Sequence, residues 1–187
     1  MNMRRLVSIS MALAMAAAST QAAAQEFPVR PLKIIQGFAA GGNADTAARI
    51  LAQELAKGLG QPVIVEAKPG AGSTIAADAV AKAAPDGHTL LLVTGGHAVA
   101  GALYKALPYN TVDSFEMIST ATFFPFLIIV RNDFPAQSIR ALLDMARAKP
   151  EAVAFGSAGT GATQHLTGEL LGGMAGVKFM HVPYKGD

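Results

Sequence analysis

The chain has 187 residues, with 15 Lys and Arg, 13 Asp and Glu, and no cysteine. The absence of cysteine rules out disulfides, thiolate metal sites, a cysteine nucleophile and a lipidated cysteine after an export signal. Arg4 and Arg5 lie in the first 24 residues, which hold no acid. The remaining 163 residues therefore carry 13 basic and 13 acidic side chains and are formally neutral, which gives no argument for nucleic acid, and no basic patch with interleaved aromatics is present.

Residues 1–24 read as a secretory signal. Arg4 and Arg5 form a positive start, and Leu6 to Ala18 is an apolar stretch too short to span a bilayer comfortably. Ala22-Ala23-Ala24 supplies a small-residue cleavage site, which predicts Gln25 as the mature N-terminus. Past it, no apolar run approaches the ~18 residues of a membrane-spanning helix. The longest, Phe123 to Val130, contains Pro125.

Leu32 to Gln36 reads as a first strand, broken by Gly41-Gly42. Asp45 can then cap a helix whose apolar positions Ala48, Leu51, Leu55 and Leu59 recur at helical spacing, with Gly58 and Gly60 at its end. Pro62 to Glu66 is a short β-branched strand, Lys68 to Gly72 a turn, and Thr74 to Ala84 a small-residue helix. Thr89 to Thr94 is an apolar strand whose unbroken Leu-Leu-Leu-Val run suits burial on both faces of a parallel sheet. Glu116 to Ala121 and Phe126 to Val130 read as extended. Ser138 to Lys149 is a helix with Ser138 as N-cap, Val153 to Ser157 a strand, and Thr163 to Ala175 a helix with Leu166, Leu170 and Met174 on one face. Lys178 to Tyr184 is a last strand. The alternation of strand and helix predicts an α/β fold.

Two strand–glycine loop–helix units stand out. In Phe38 to Asp45, glycines between strand and helix let backbone N–H groups point at one spot, and the helix N-terminus adds partial positive charge, which makes an anion site without a basic side chain. The alternative is a tight turn that binds nothing. Gly156 to His165 has the same logic, with hydroxyls at Ser157, Thr160 and Thr163. It lacks the Gly-Lys-Ser/Thr of a phosphate-binding loop, and Gln164 stands where a dinucleotide fingerprint needs its third glycine. Hydroxyls and amides without Lys or metal ligands suit a carboxylate better than a polyphosphate, and one such loop in each half suggests a shared cleft.

The competing enzyme reading pairs Ser157 with His165, with Asp45 or Asp86 as orienter. Ser157 lacks the nucleophile elbow, because Phe155 stands where its first glycine belongs. His88, His97, His165 and His181 show no metal-ligand spacing.

Phe38 to Arg49 resembles the first binding loop and helix of the Bug family, the substrate-binding components of tripartite tricarboxylate transporters. Leu59-Gly60-Gln61-Pro62-Val63, Lys68 to Gly72, Pro85 to Leu90, Leu107-Pro108-Tyr109, Gly156 to Leu170 and His181 to Gly186 are similar to the family's further signatures, in order. The resemblance implies a periplasmic-binding-protein-like α/β fold (type II, Venus flytrap) after removal of residues 1–24. Lobe one would occupy 25–122 and is nearly complete; 123–187 would be a partial lobe two.

The resemblance further implies a non-enzymatic, cofactor-free and metal-free periplasmic protein, not inserted in the membrane once the signal is cleaved. It would capture a small carboxylate for the membrane components of the transporter; a ligand presenter for a membrane sensor is the variant reading. The ligand would be held by Phe38, Ala39, Ala40, Gly41, Gly42 and Asp45 in the first loop and by Ser157, Gly159, Thr160, Gly161, Thr163 and His165 in the second. Thr94 and His97 would add contacts. Three departures are visible. Gln36-Gly37 replaces a more usual apolar residue and proline, Ala67 replaces the usual Asn, and family members run to roughly twice this mature length, in line with two-domain sizes. The rest of lobe two and the return segment of lobe one are therefore expected to lie outside this chain, leaving open sheet edges.

Overall fold

The structure, a computed structural model, describes residues 27–184. The signal segment, its cleavage site and the Lys185-Gly186 end of the last motif lie outside the described residues.

The elements in order are β1 (Leu32–Gln36), α1 (Asn43–Leu59), β2 (Val63–Ala67), a 3-10 turn (Ala71–Ser73) running into α2 (Thr74–Ala81), β3 (Thr89–Leu92), α3 (Gly95–Leu103), α4 (Ile139–Ala148), β4 (Ala154–Ser157), α5 (Thr163–Ala175) and β5 (Met180–Pro183). Three strands form a parallel sheet in the order β2-β1-β3, with Ile34 opposite Val65 on one side and Leu90 on the other. β4 and β5 form a second parallel pair, with Phe155 opposite His181. Parallel strands joined through helices carry every strand-to-helix loop to the carboxyl ends of the strands, where open α/β sheets bind ligands.

The first core sits between α1 and the three-stranded sheet. Ile34, Ala48 and Ala52 are buried, and Leu51, Leu55, Val63, Val65, Leu90 and Leu92 pack around them. α1 ends where predicted: Gly60 adopts φ 66°, a left-handed conformation cheap only for glycine, and its N–H donates to the Ala56 carbonyl at 3.1 Å. The second core joins α4 to the starts of β4 and β5 through Leu142, Ala146, Val153 and Val177. Ser138 caps α4, accepting from the Ala141 N–H at 3.2 Å.

Four expectations are corrected. The central strand buried on both faces is β1, with Leu32, Ile34, Ile35 and Gln36 all buried. β3, despite its apolar run, is an edge strand and only half-buried. Glu116 to Ala121 and Phe126 to Val130 join no ladder, and Phe123 and Ile129 are 90% and 84% exposed; no described strand pairs with this segment. The Leu170–Met174 face of α5 points outward, because the helix packs through glycines instead. A Cβ on Gly168 would overlap the Phe155 ring, and one on Gly172 would come within 3.0 Å of the Val177 carbonyl oxygen. Finally α3, unforeseen, opens on the double glycine Gly95-Gly96 itself.

Candidate functional site at the meeting of the glycine loops

The first loop leaves the carboxyl end of β1. Phe38 is buried against Ala158 and Ala162 of the second loop, with Ala44 beside them, so the two loops share one apolar contact. Ala39 and Ala40 lie at its rim, Gly41 takes φ 91°, and Gly42 is the N-cap of α1 with no side chain capping the helix.

Asp45 is the third helical residue, not the N-cap. It reaches back to accept the Gly41 N–H at 3.0 Å, in the manner of the acidic half of a capping box. The carboxylate is 3% exposed and also accepts from Arg49 Nε at 2.8 Å, Arg49 Nη2 at 3.2 Å and Gln36 Nε2 at 3.3 Å. The Arg49 hydrogen bonds, then the Gly41 amide, hold its pKa below the ordinary carboxylate value against the opposing effect of burial. Asp45 is therefore occupied in building the loop.

In the second loop, Ser157 is buried and its hydroxyl is engaged on several sides. It accepts the Gly159 N–H at 3.1 Å, lies 3.2 Å from the Gly159 carbonyl and sits 2.6 Å from His181 Nε2. The serine thus pairs with His181, not His165. His165 stacks on His181 with ring centroids 4.0 Å apart, and its Nδ1 accepts the Gly161 N–H at 3.2 Å. Burial, then the neighbouring His165, lowers the His181 pKa and keeps that ring neutral. Glu169 lies 3.9 Å from His165 and acts on His181 through its charge alone; among the described residues no carboxylate is hydrogen-bonded to the Ser157–His181 pair.

The loop after β3 closes against the second one. The Gly96 N–H donates to Thr163 Oγ1 at 3.0 Å, and that hydroxyl lies 3.4 Å from Thr94 Oγ1. Tyr104 OH donates to the Thr160 carbonyl at 3.3 Å. A Cβ on Gly96 would approach the Gly161 oxygen to 2.6 Å, and one on Gly72 the Thr160 oxygen to 2.8 Å, so bare glycine backbone permits this approach. His97 is turned away. Its ring stacks on Tyr109, meets Phe115 edge-on, and Nε2 lies 2.9 Å from the Thr111 carbonyl.

The arrangement brings together the N-termini of α1, α3 and α5, none capped by its own N-cap side chain. No Lys or Arg occurs in residues 37–45, 94–97 or 157–165. Partial positive charge there comes from backbone amides alone, which suits a small anion. A groove of about 1060 Å³ opens alongside, with Phe38, Ala44 and Thr94 at one end and Leu90, Leu92, Phe123 and Phe126 along it. No group of three or more His, Asp or Glu able to hold a metal occurs among the described residues, and none of their helices is long and apolar enough to cross a membrane. Sequence reasoning gave no role in the loops to Gln36, Tyr104 or His181. Gly95-Gly96 after β3 repeats the glycine signal of the other loops, and the sequence reading takes the segment Thr94 to His97 as a source of contacts, though not as the start of a helix.

Two parallel sheets with glycine loops meeting at their carboxyl ends form the fold of a periplasmic binding protein. The chain belongs to the tripartite tricarboxylate transporter family receptors, whose model matches residues 47–187. It is 41% identical over 186 residues to a UPF0065 protein of Bordetella pertussis, covering 99% of this chain and 56% of that one. Among solved structures it resembles the periplasmic binding protein BugD (38% identity, TM-score 0.72, 86% of this chain and 54% of that chain). It also resembles MatC from Rhodopseudomonas palustris with bound malate (37% identity, TM-score 0.77, 86% and 55%). These neighbours are binding proteins, not enzymes. The chain spans about half the length of the curated relatives it matches.

Proposed function

We propose that this chain carries the carboxylate-recognising loops of a periplasmic solute receptor that serves a tripartite tricarboxylate-type uptake system. The observation that carries the reading is the meeting of the N-termini of α1, α3 and α5, none capped by its own N-cap side chain, with no Lys or Arg in their loops. A carboxylate there would accept backbone N–H bonds from both loops, with Thr94 and Thr160 as hydroxyl partners and the Thr163 hydroxyl orienting Thr94. Phe38 would form the apolar floor. Asp45, Ser157 and His165 serve the site by holding the loops in shape, since their polar atoms are already engaged. In this reading 25–122 and 123–187 are the two lobes, the protein acts in the periplasm after loss of residues 1–24, and the transporter's membrane components are its partners. Family membership supports the reading, as does the structural likeness to a malate-bound protein.

The test is a thermal-shift screen of the full chain against mono-, di- and tricarboxylates. A ligand selective for the folded state raises the apparent stability by about 2.7 kcal/mol at a hundredfold excess over Kd. A rise with a dicarboxylate such as malate is expected. Esterase activity lost on both Ser157→Ala and His181→Ala would overturn the reading.

A further inference from the structure

We infer that Gln36 is a positioning residue of the first glycine loop, its buried carboxamide joining the Phe38 N–H to the Asp45 carboxylate so that the loop keeps one shape. Gln36 ends the central strand and is fully buried. Its Oε1 accepts the Phe38 N–H at 2.7 Å, and its Nε2 donates to Asp45 Oδ1 at 3.3 Å. This amide orientation satisfies both neighbours; the flipped one would set a carbonyl oxygen against a carboxylate.

Asp45 in turn holds the Gly41 N–H. Gln36 and Asp45, joined to each other, thus fix the loop at both ends, Gln36 taking the Phe38 amide and Asp45 the Gly41 amide out of the set that can turn toward a ligand. An apolar residue of similar size would fill the same space but leave a buried N–H and a buried carboxylate oxygen without this partner, which is the costly case for polar groups. Gln36-Gly37 is also where the sequence departs from the pattern it resembles. Both residues have a local reason here: Gln36 makes the bridge, and Gly37 has no Cβ, which leaves room for the buried Ser73 side chain.

The assignment of Gln36 stands on loop geometry; its effect on a ligand rests on the carboxylate reading above. The charged groups nearest Gln36 are Asp45, with Arg49 beside it, on α1, and Glu66 and Lys68 at the end of β2, where the Lys68 N–H donates to the Gln36 carbonyl; α1 also carries Glu54 and Lys57 further along, and α2, which packs on β1 as well, carries Asp78, paired with Lys82. β3 carries none.

That setting makes Gln36→Glu diagnostic. The ionised variant would set one carboxylate against another, which raises a pKa of the pair. Once protonated, its O–H donates to Asp45 and its C=O accepts from Phe38, which restores the wild-type pattern. Amide-exchange protection at Phe38 and Gly41 should be measured by NMR on the full chain as wild type, Gln36→Glu and Gln36→Leu, from about pH 5 to pH 8, the range around neutrality where a raised carboxyl titrates. Protection should be lost in Gln36→Leu at every pH. In Gln36→Glu it should be lost at the upper end and recovered on acidification, and malate affinity should fall roughly tenfold and return in parallel, the equivalent of one hydrogen bond. A Gln36→Glu chain that behaves alike at both ends of the range, folded or not, overturns the assignment. So does unchanged protection in Gln36→Leu. If the amide pattern follows expectation while the wild-type chain binds no carboxylate, Gln36 keeps its role and the receptor reading fails.

Discussion

Gly37→Ala tests how tightly the first loop is held against the turn below it. Gly37 is not in the left-handed region, so a methyl group costs nothing in backbone strain. The cost is steric. The new Cβ would overlap Ser73 Oγ and Cβ and lie 2.5 Å from the Ser73 Cα. Overpacking of this kind costs about 1–3 kcal/mol, and a clash with backbone as well as side chain puts the expected loss near 2 kcal/mol. At roughly 2–4 °C per kcal/mol for a chain of this size, the melting temperature should drop by about 4–8 °C.

The second arm of the cycle is Ser73→Gly. Ser73 has φ 80° and a buried hydroxyl without a partner. Its removal relieves about 1 kcal/mol or more of strain and desolvation, set against roughly 0.4–1 kcal/mol of added unfolded-state freedom. The single variant should be neutral to slightly stabilising. Combined with Gly37→Ala it should recover only part of the loss, because the Ser73 Cα remains in the way. Circular-dichroism melts of the four chains give the coupling, expected at about 1 kcal/mol in the favourable direction. A Gly37→Ala chain as stable as wild type, or a double variant that sums the singles, refutes the contact.

Three further outcomes follow from the geometry. The folded pKa of His181 lies below the ordinary value of 6.5 because of burial and then His165. Its contribution to stability is therefore present above 6.5 and is lost as pH falls toward the folded value; melts of His181→Asn against wild type across that window should show a flatter acid limb, and identical limbs would contradict this. Ser138→Ala removes the α4 cap and should cost about 1 kcal/mol in a urea titration. On α5, Gly168→Ala should lose about 1–3 kcal/mol against the Phe155 ring, whereas Met174→Lys on the outward face should stay within about 0.5 kcal/mol.

Much of the fold was legible because its signals are local. α1 with its terminal glycine, α4 with its serine cap and α5 over Thr163–Ala175 all follow from spacing and capping chemistry. α3 was not legible: Gly95 to Leu103 is small and apolar but for His97, too little polar pattern to set a period, and it is placed by packing on the 3-10 turn and on α5. Glu116 to Ala121 and Phe126 to Val130, read as extended, join no sheet, since strand propensity by itself supplies no partner. At the site, the loops were visible as glycine patterns, but the division of labour within them was not. Whether Ser157 or Asp45 faces a ligand or its own loop depends on Gln36 arriving from β1 and His181 from β5. Sequence distance hides those partners, and the serine–histidine pairing was accordingly assigned to His165 when His181 holds it.

The central claim is that backbone amides of the paired loops recognise a carboxylate by its charge. The most direct measurement is an amide NMR titration of the full chain with malate, against its uncharged diamide as control. The account predicts shifts concentrated at Gly42 to Ala44 and at Thr160 to Thr163 with malate and none with the diamide. Equal responses to the two compounds, or malate shifts confined to the apolar groove along β3, would contradict it.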